Sequence, residues 1–218
     1  MPNAVVKTSL GLAGVSTASA GGVYLSGALS PSTEKQLSIK DLVTKNKTIV
    51  LIKSGEDDRW NKIWDKYKTH NSGKEKDSWN LQGWNHSNTT NRLPSLESKC
   101  SSEISSTISG EEDPRYKDFV SWCTRKAEFK DKLMDMGYEP LADGDSLWTT
   151  NFDSYKATGN QIKIHGLDIP SSDVHTNSDH LNKLKTGCST ALAKEIDDTD
   201  YSKTFEGIQK WCTKKKDN

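Results

Sequence analysis

An excess of charge of either sign is absent from this chain. Its 218 residues include 30 lysines and arginines and 30 aspartates and glutamates, so the formal net charge is zero. The chain therefore lacks the electrostatic footprint of a nucleic-acid-binding protein, and we expect no nucleic-acid partner. Hydrophobic residues are also scarce, at 32%, which limits the core to a small one. The seven tryptophans partly compensate, because each indole ring can bury a large area.

Motifs that carry chemistry are missing as well. The sequence contains no H-E-x-x-H, no G-x-S-x-G and no glycine-rich phosphate loop followed by lysine. Its four cysteines lack the close C-x-x-C pairs that structural zinc sites use. Nor do His175, Asp179 and His180 match the spacing of a helical metal motif. We therefore expect no catalytic residues, no metal and no cofactor, and the chain is not predicted to be an enzyme.

The sequence does contain an internal repeat, with an offset of 88 positions that becomes 89 at the end of the unit. A period of this length indicates duplication of a small domain or of half a domain, and not a solenoid. The matched residues are mostly aromatic or cysteine: Trp60, Trp64, Asp65, Tyr67, Cys100 and Cys123 recur as Trp148, Phe152, Asp153, Tyr155, Cys188 and Cys212. Most of them are core-building residues, so the repeat informs architecture more than chemistry.

Each repeat predicts three helices. The first carries its aromatic residues at spacings of three and four, which collects them on one face. The second has apolar residues four positions on either side of Cys100 and of Cys188, as an amphipathic helix requires. The third ends at Cys123 in one unit and at Cys212 in the other, and it forms a helical hairpin with the second.

The hairpin predicts how the cysteines pair. Cys100 lies about eleven residues before the turn near Glu111 and Cys123 about twelve after it, and the second pair is placed similarly about Asp200. Equal distances from the turn bring the sulfurs to one height on facing apolar surfaces. We therefore predict disulfides within each unit, Cys100–Cys123 and Cys188–Cys212. Four reduced, buried cysteines are the alternative, and they would indicate a reducing compartment.

The two recurring aspartates are the remaining candidates for chemistry. Asp65 and Asp153 could act as acid–base groups, but ion pairs with Lys68 and Lys156, three residues further along a helix, are the favoured interpretation. The tryptophan and tyrosine stripe could similarly form a platform for a sugar or a peptide. Its helical spacing favours core packing.

The first 33 residues differ from the rest, because residues 8–33 contain no charged side chain. This length suits a transmembrane helix. A signal peptide cleaved after the small-residue sequence at 18–20 and a packed Gly/Ser-rich start are the alternatives. No cysteine lies in this segment, which excludes a lipid-modified cysteine anchor. Residues 34–53 are predicted to be a linker with a β-branched run at 48–52, which forms a short strand or a buried helical turn.

Three features together carry a family resemblance. They are the apolar start built from small residues, the W-x-x-x-[WF]-D-x-Y-K element at residues 60–68 and 148–156, and the paired W-C-T endings followed by basic residues. This combination resembles the large paralogous families of uncharacterised membrane-anchored proteins of haemotropic mycoplasmas. The resemblance spans nearly the whole chain and implies an N-terminal membrane segment and display toward a host cell. It transfers no catalytic residue.

The sequence therefore predicts a mainly α-helical protein. An N-terminal anchor or signal segment occupies residues 1–33, a linker residues 34–53, and two tandem three-helix units residues 54–140 and 141–218. The expected function is that of a membrane-anchored surface protein, with its repeat domain outside the cytoplasm and a protein partner or antigenic variation as its use. The alternatives are a hydrolase-like enzyme with a site between the repeats and an intracellular scaffold.

Overall fold

The computed structural model describes residues 37–87 and 91–216, which are mainly α-helical as predicted. Nine helices and six short strands occur in these two ranges. In chain order they are β1 (Leu37–Ser38), α1 (Ile39–Lys45), β2 (Ile49–Leu51), α2 (Asp57–His70), α3 (Pro94–Glu103), β3 (Thr107–Ile108), α4 (Pro114–Cys123), β4 (Thr124–Lys126), α5 (Phe129–Asp135), β5 (Tyr138–Pro140), α6 (Leu147–Lys156), α7 (Ser178–Leu192), α8 (Thr199–Ser202), α9 (Phe205–Cys212) and β6 (Thr213–Lys215).

The buried side chains form two hydrophobic clusters that follow one another along the chain. The first contains residues between Ile39 and Cys123, and the aromatic face of α2 lies at its centre. The second contains residues between Phe129 and Cys212, with Phe152 and Tyr155 of α6 fully buried. In both helices the buried aromatics recur at spacings of three and four, which places them on one face.

The described part of residues 34–53, predicted to be a linker with a short strand or a buried helical turn, contains a helix and a strand. Residues 39–45 form α1, whose buried side chains belong to the first cluster. A capping box starts this helix: the Asp41 backbone N–H donates to the Ser38 hydroxyl, and the Ser38 backbone N–H donates to the Asp41 carboxylate. Residues 49–51 form a strand, which resolves the alternatives left open for the β-branched run.

The second cluster also begins earlier than the predicted boundary at residue 140. Phe129 and Leu133 of α5 are fully buried in it, together with residues of α7 and α9. The change from one cluster to the other therefore falls between Cys123 and Phe129. Periodicity around the tryptophans could not reveal this, because α5 lies outside the matched motif.

Three antiparallel pairs of strands complete the fold. β1 pairs with β3, β2 with β4, and β5 with β6. Thr124 lies opposite Leu51 in the second pair, and Thr213 lies opposite Pro140 in the third. The threonine of each W-C-T motif thus begins a strand directly after the helix that ends at the preceding cysteine.

Both predicted disulfides are present. Cys100 of α3 bonds to Cys123 of α4, with 5.6 Å between their Cα atoms. Cys188 of α7 bonds to Cys212 of α9, with 5.2 Å between their Cα atoms. Each disulfide therefore fastens two helices of one hydrophobic cluster.

The predicted N-terminal anchor, residues 1–33, lies outside the described residues. Among the helices of residues 37–87 and 91–216, none has the length and apolarity that a membrane crossing requires.

Candidate functional site

A cleft of about 700 Å³ opens where the two hydrophobic clusters meet along the chain. One wall is the end of α1 and the whole of β2, and the opposite wall is the exposed side of α5. Ala127 and Ile196 also border it. The lining residues are Val43, Thr44, Asn46, Lys47, Ile49, Val50, Leu51, Lys53, Ala127, Asp131, Lys132, Met134, Asp135, Met136 and Ile196.

Two methionines give this cleft an adaptable apolar surface. The chain has three methionines in all, and Met134 and Met136 both line the cleft with half of each residue's surface exposed to solvent. Their position follows from α5, which buries Phe129 and Leu133, one turn apart, in the second cluster. The residue after Leu133 is thereby turned outward. Flexible thioether side chains are common on surfaces that accept varied partners.

Among the strands of residues 37–87 and 91–216, β2 pairs with β4 along one edge, and its other edge has no partner. Ala127 donates its backbone N–H to the Thr48 carbonyl, and Ile52 donates to the Cys123 carbonyl. In an antiparallel pair, residues alternate between hydrogen-bonded and non-hydrogen-bonded positions. Val50 is therefore the hydrogen-bonded partner of Arg125, and the peptide groups of Ile49 and Leu51 point away from β4. All three β2 residues line the cleft, together with Ala127, which follows β4 and pairs with Thr48. The two residues whose peptide groups turn away from β4 therefore border the cleft.

Cations predominate at the rim of the cleft. Lys47 lies 3.6 Å from Asp135, but both side chains are about 70% exposed, so this pair is weak. The Lys132 ammonium lies 4.6 Å from the centre of the Phe205 ring. Within the described residues, neither Lys132 nor Lys53 has a carboxylate partner. The carboxylate of Asp131, in contrast, is neutralised by Arg125 at 2.6 Å.

A charged network behind the cleft holds α5 against β4 and α2. Only 9% of the Arg125 side chain is exposed, and its guanidinium contacts Asp131 and, at 3.2 Å, Glu56. Burial opposes ionisation of Asp131, but the hydrogen bonds from Arg125 and from the Glu128 backbone N–H, together with the nearby charges of Arg125 and Lys130, outweigh it and lower the pKa of that carboxyl. Arg59 of α2 also pairs with the buried carboxylate of Glu128. These contacts fix the wall of the cleft that carries the methionines.

The candidate aspartates of the sequence lie elsewhere. Asp65 forms the expected ion pair with Lys68, at 2.9 Å. Asp153 is 4.0 Å from Lys156, and its other carboxylate oxygen lies 2.8 Å from Nδ1 of His175, a contact that the sequence did not suggest.

The tryptophan and tyrosine stripe forms core and not a platform. Trp60, Trp64 and Tyr67 are each at most 3% exposed. The hydroxyl of Tyr67 donates to Asp77 at 2.8 Å, and burial together with this contact raises the pKa of the phenol.

Polar contacts also join the loop before α7 to that helix. His180 contacts the buried carboxylate of Asp173 at 3.5 Å, and Lys183 contacts it at 2.6 Å. Nδ1 of His180 accepts a hydrogen bond from the Val174 backbone N–H, so this histidine fastens the loop. The described residues contain no group of three or more side chains suited to hold a metal ion.

Sequence reasoning did not find the cleft. The β-branched run of β2 was visible, and both methionines stand within three residues of each other. Nothing local, however, indicated that α5 would lie opposite β2. The lone signal was the concentration of methionine at positions 134 and 136 in a chain with one other methionine.

Comparison of the chain with known protein families, with curated proteins and with solved structures gives no match.

Proposed function

We propose that this chain is a binding module displayed outside the cytoplasm and held at the membrane by its N-terminal segment. Two disulfides support display in an oxidising environment, because all four cysteines are paired. The uncharged run at residues 8–33 supports the membrane attachment.

We further propose that the described part arose by internal duplication. Equivalent contacts recur in the two clusters, which supports descent from one unit. Trp60 donates its indole N–H to the Lys53 carbonyl at 3.0 Å, and Trp148 donates to the Ala142 carbonyl at 2.7 Å. The edge-to-face ring pair of Tyr67 with Trp122 likewise has a counterpart in Tyr155 with Trp211.

The binding site in this proposal is the cleft between β2 and α5. The observation that carries it is a pair of half-exposed methionines in a cleft that is also lined by β2, a strand with one open edge. A chain with little hydrophobic material buries most large apolar residues, so their exposure at one place indicates a surface kept for a partner.

Two measurements on intact cells test the proposed display. Thiols are alkylated before lysis, and peptides are mapped without reduction; the links Cys100–Cys123 and Cys188–Cys212 should be found. Protease added outside the cells should remove the domain together with known surface markers. Four alkylated cysteines, or a domain that resists protease until lysis, would contradict display and favour the intracellular scaffold.

A hydrolase-like enzyme is the second candidate, and the 2.8 Å contact between the Asp153 carboxylate and Nδ1 of His175 favours it. A carboxylate that orients an imidazole is the arrangement found in general-base catalysis. Purified protein should then cleave simple ester or phosphodiester substrates, and His175→Ala should abolish the activity without changing the melting temperature. An unchanged residual rate in His175→Ala would reject this role.

A further inference from the structure

We infer that β2 binds an extended, acidic peptide as an additional strand, whose apolar side chains enter the cleft beside Met134 and Met136. This inference rests on the proposed binding function and names the chemical class of the partner. Its main elements are an open backbone edge, an apolar surface in the cleft that this strand lines, and exposed lysines at the rim.

The backbone supplies the first element. Ile49 and Leu51 each turn one N–H and one C=O away from β4, so an added strand can form up to about four hydrogen bonds with them. Strand addition of this kind obtains affinity from main-chain hydrogen bonds and specificity from pockets for alternate side chains.

The third strand pair offers a comparison within the same chain. In that pair Pro140 occupies the position of Leu51, because each lies opposite the threonine of a W-C-T motif. Proline has no backbone N–H, so the outer edge of β5 lacks this donor. Proline is one of the devices by which proteins protect strand edges from unwanted pairing. The edge of β2 carries no such protection within Ile49–Leu51 and stays competent to pair.

The methionines supply the second element. Side chains of an added strand alternate between its two faces, so every second one can face α5 across the cleft. Met134 and Met136 would contact these side chains and could adjust to aliphatic groups of different size. The peptide therefore needs apolar residues at alternate positions.

Charge distinguishes an acidic peptide from a second copy of this chain. Lys47 precedes β2 and Lys53 follows it. If two β2 edges paired antiparallel, Lys47 of each copy would lie near Lys53 of the other, and parallel pairing would place identical lysines side by side. Like charges opposite one another oppose pairing. Carboxylates at the two ends of a peptide would instead meet Lys53 and Lys47, with Lys132 on the facing wall.

A labelled seven-residue peptide, acetyl-EVTVTVE-amide, is the probe for the intact protein. Fluorescence anisotropy should show saturable binding at low salt, and a peptide with both glutamates changed to lysine should bind at least tenfold more weakly. N-methylation removes backbone donors without altering the side chains. Methylation on one alternate set of residues should weaken binding at least tenfold, whereas methylation on the other set should change it less than threefold.

Protein variants locate the peptide on β2. Leu51→Pro reproduces the edge of β5 and should abolish binding. Lys53→Glu should weaken binding several-fold at low salt, with a smaller effect at high salt because ions screen exposed charges. Lys62→Glu makes the same charge change on α2, away from the residues that line the cleft, and should bind as the unaltered protein does. Circular dichroism checks that each variant is folded. If Leu51→Pro does not fold, the Lys53→Glu variant and the methylated peptides still test the inference.

The possible results separate strand addition from the wider proposal. Equal binding of the two methylated sets, combined with loss of binding in Met134→Glu, would mean that the cleft binds apolar peptides without strand pairing. If the acidic peptide does not bind, the inference is overturned. The proposed surface display is unaffected by this result, because it is tested separately. Sedimentation equilibrium tests whether the chain self-associates. Self-association that is lost in Leu51→Pro would show that β2 binds a second copy of the chain, and this result would also overturn the inference.

Discussion

Removal of the disulfide between Cys100 and Cys123 should lower the free energy of unfolding by about 3 kcal/mol. The bond closes a loop of 23 residues, and the chain-entropy relation for a loop of this length gives roughly that value at 25 °C. Typical domains have a total stability of about 5–15 kcal/mol, so the loss is a large fraction of the whole. The variant should still fold, because the aromatic cluster around α2 is unchanged.

The double variant Cys100→Ala/Cys123→Ala is the test, and Cys188→Ala/Cys212→Ala is its matched control. The second loop spans 24 residues, so the entropic loss should agree with the first to within a few tenths of a kcal/mol. Unfolding in urea is followed by tryptophan fluorescence and by circular dichroism. Fluorescence reports mainly on the first cluster, where five of the seven tryptophans lie: Trp60, Trp64, Trp79, Trp84 and Trp122.

A change below about 0.5 kcal/mol in the first double variant would refute this reasoning, because the two cysteines would then act only as buried apolar groups. Reduction of the unaltered protein provides an independent check. Its stability under reducing conditions should fall by about the sum of the two separate losses, provided that the two sites do not share contacts.

Three other predictions concern single groups. Hydrogen bonds from the Arg115 side chain, and from the backbone N–H groups of Arg115 and Ser109, lower the pKa of Asp113 to about 2. Since the unfolded value is near 4, this carboxylate stabilises the protein above about pH 4 and loses its effect as the pH falls to 2; Asp113→Asn should flatten urea-unfolding stability over that range. Leu184 is fully buried, so Leu184→Ala should cost about 2–5 kcal/mol in the same assay. Burial and the contact with Asp77 raise the pKa of the Tyr67 phenol, so absorbance at alkaline pH should show it ionising after the exposed tyrosines, unless the protein unfolds first.

The long helices and the cysteine pairing could be predicted from the sequence because both depend on local regularity. The aromatic spacing in α2 fixes which face is buried, and distance from a turn fixes which residues meet in a helical hairpin. Cys100 and Cys123 satisfy both conditions. Agreement between local pattern and packing is what such predictions need.

The short elements could not be predicted in this way. α1 and α5 have seven residues each, about two turns, and too few apolar positions to establish a period. β2 and β4 are three residues each and pair across more than 70 positions of sequence, so no local signal specifies their register. The cleft depends on both kinds of element and was therefore missed. Long-range pairing of short strands is fixed by tertiary packing and much less by propensity.

The two clusters differ in the partners that their loops offer to the buried tyrosine hydroxyl of the aromatic helix. Tyr67 donates to the Asp77 carboxylate and accepts from the Trp79 backbone N–H. Tyr155 donates instead to the Leu167 backbone carbonyl and accepts from the Ile164 backbone N–H. Each hydroxyl is satisfied, as burial requires, but by a different partner.

A similar freedom exists at the strand edges. The pairing of the strands fixes which residue lies opposite the threonine of each W-C-T motif, but it does not fix the residue type there. That residue is Leu51 in β2, which has a backbone N–H on the outer edge, and Pro140 in β5, which has none. Under the proposed duplication, the proline of β5 would protect one edge, and the corresponding edge of β2 would remain able to bind a strand. Pro140→Leu would restore the missing donor without the methionine wall of the first cleft. We therefore expect the acetyl-EVTVTVE-amide stoichiometry to remain one per chain in this variant; two sites would show that a free strand edge alone is sufficient and that Met134 and Met136 contribute little.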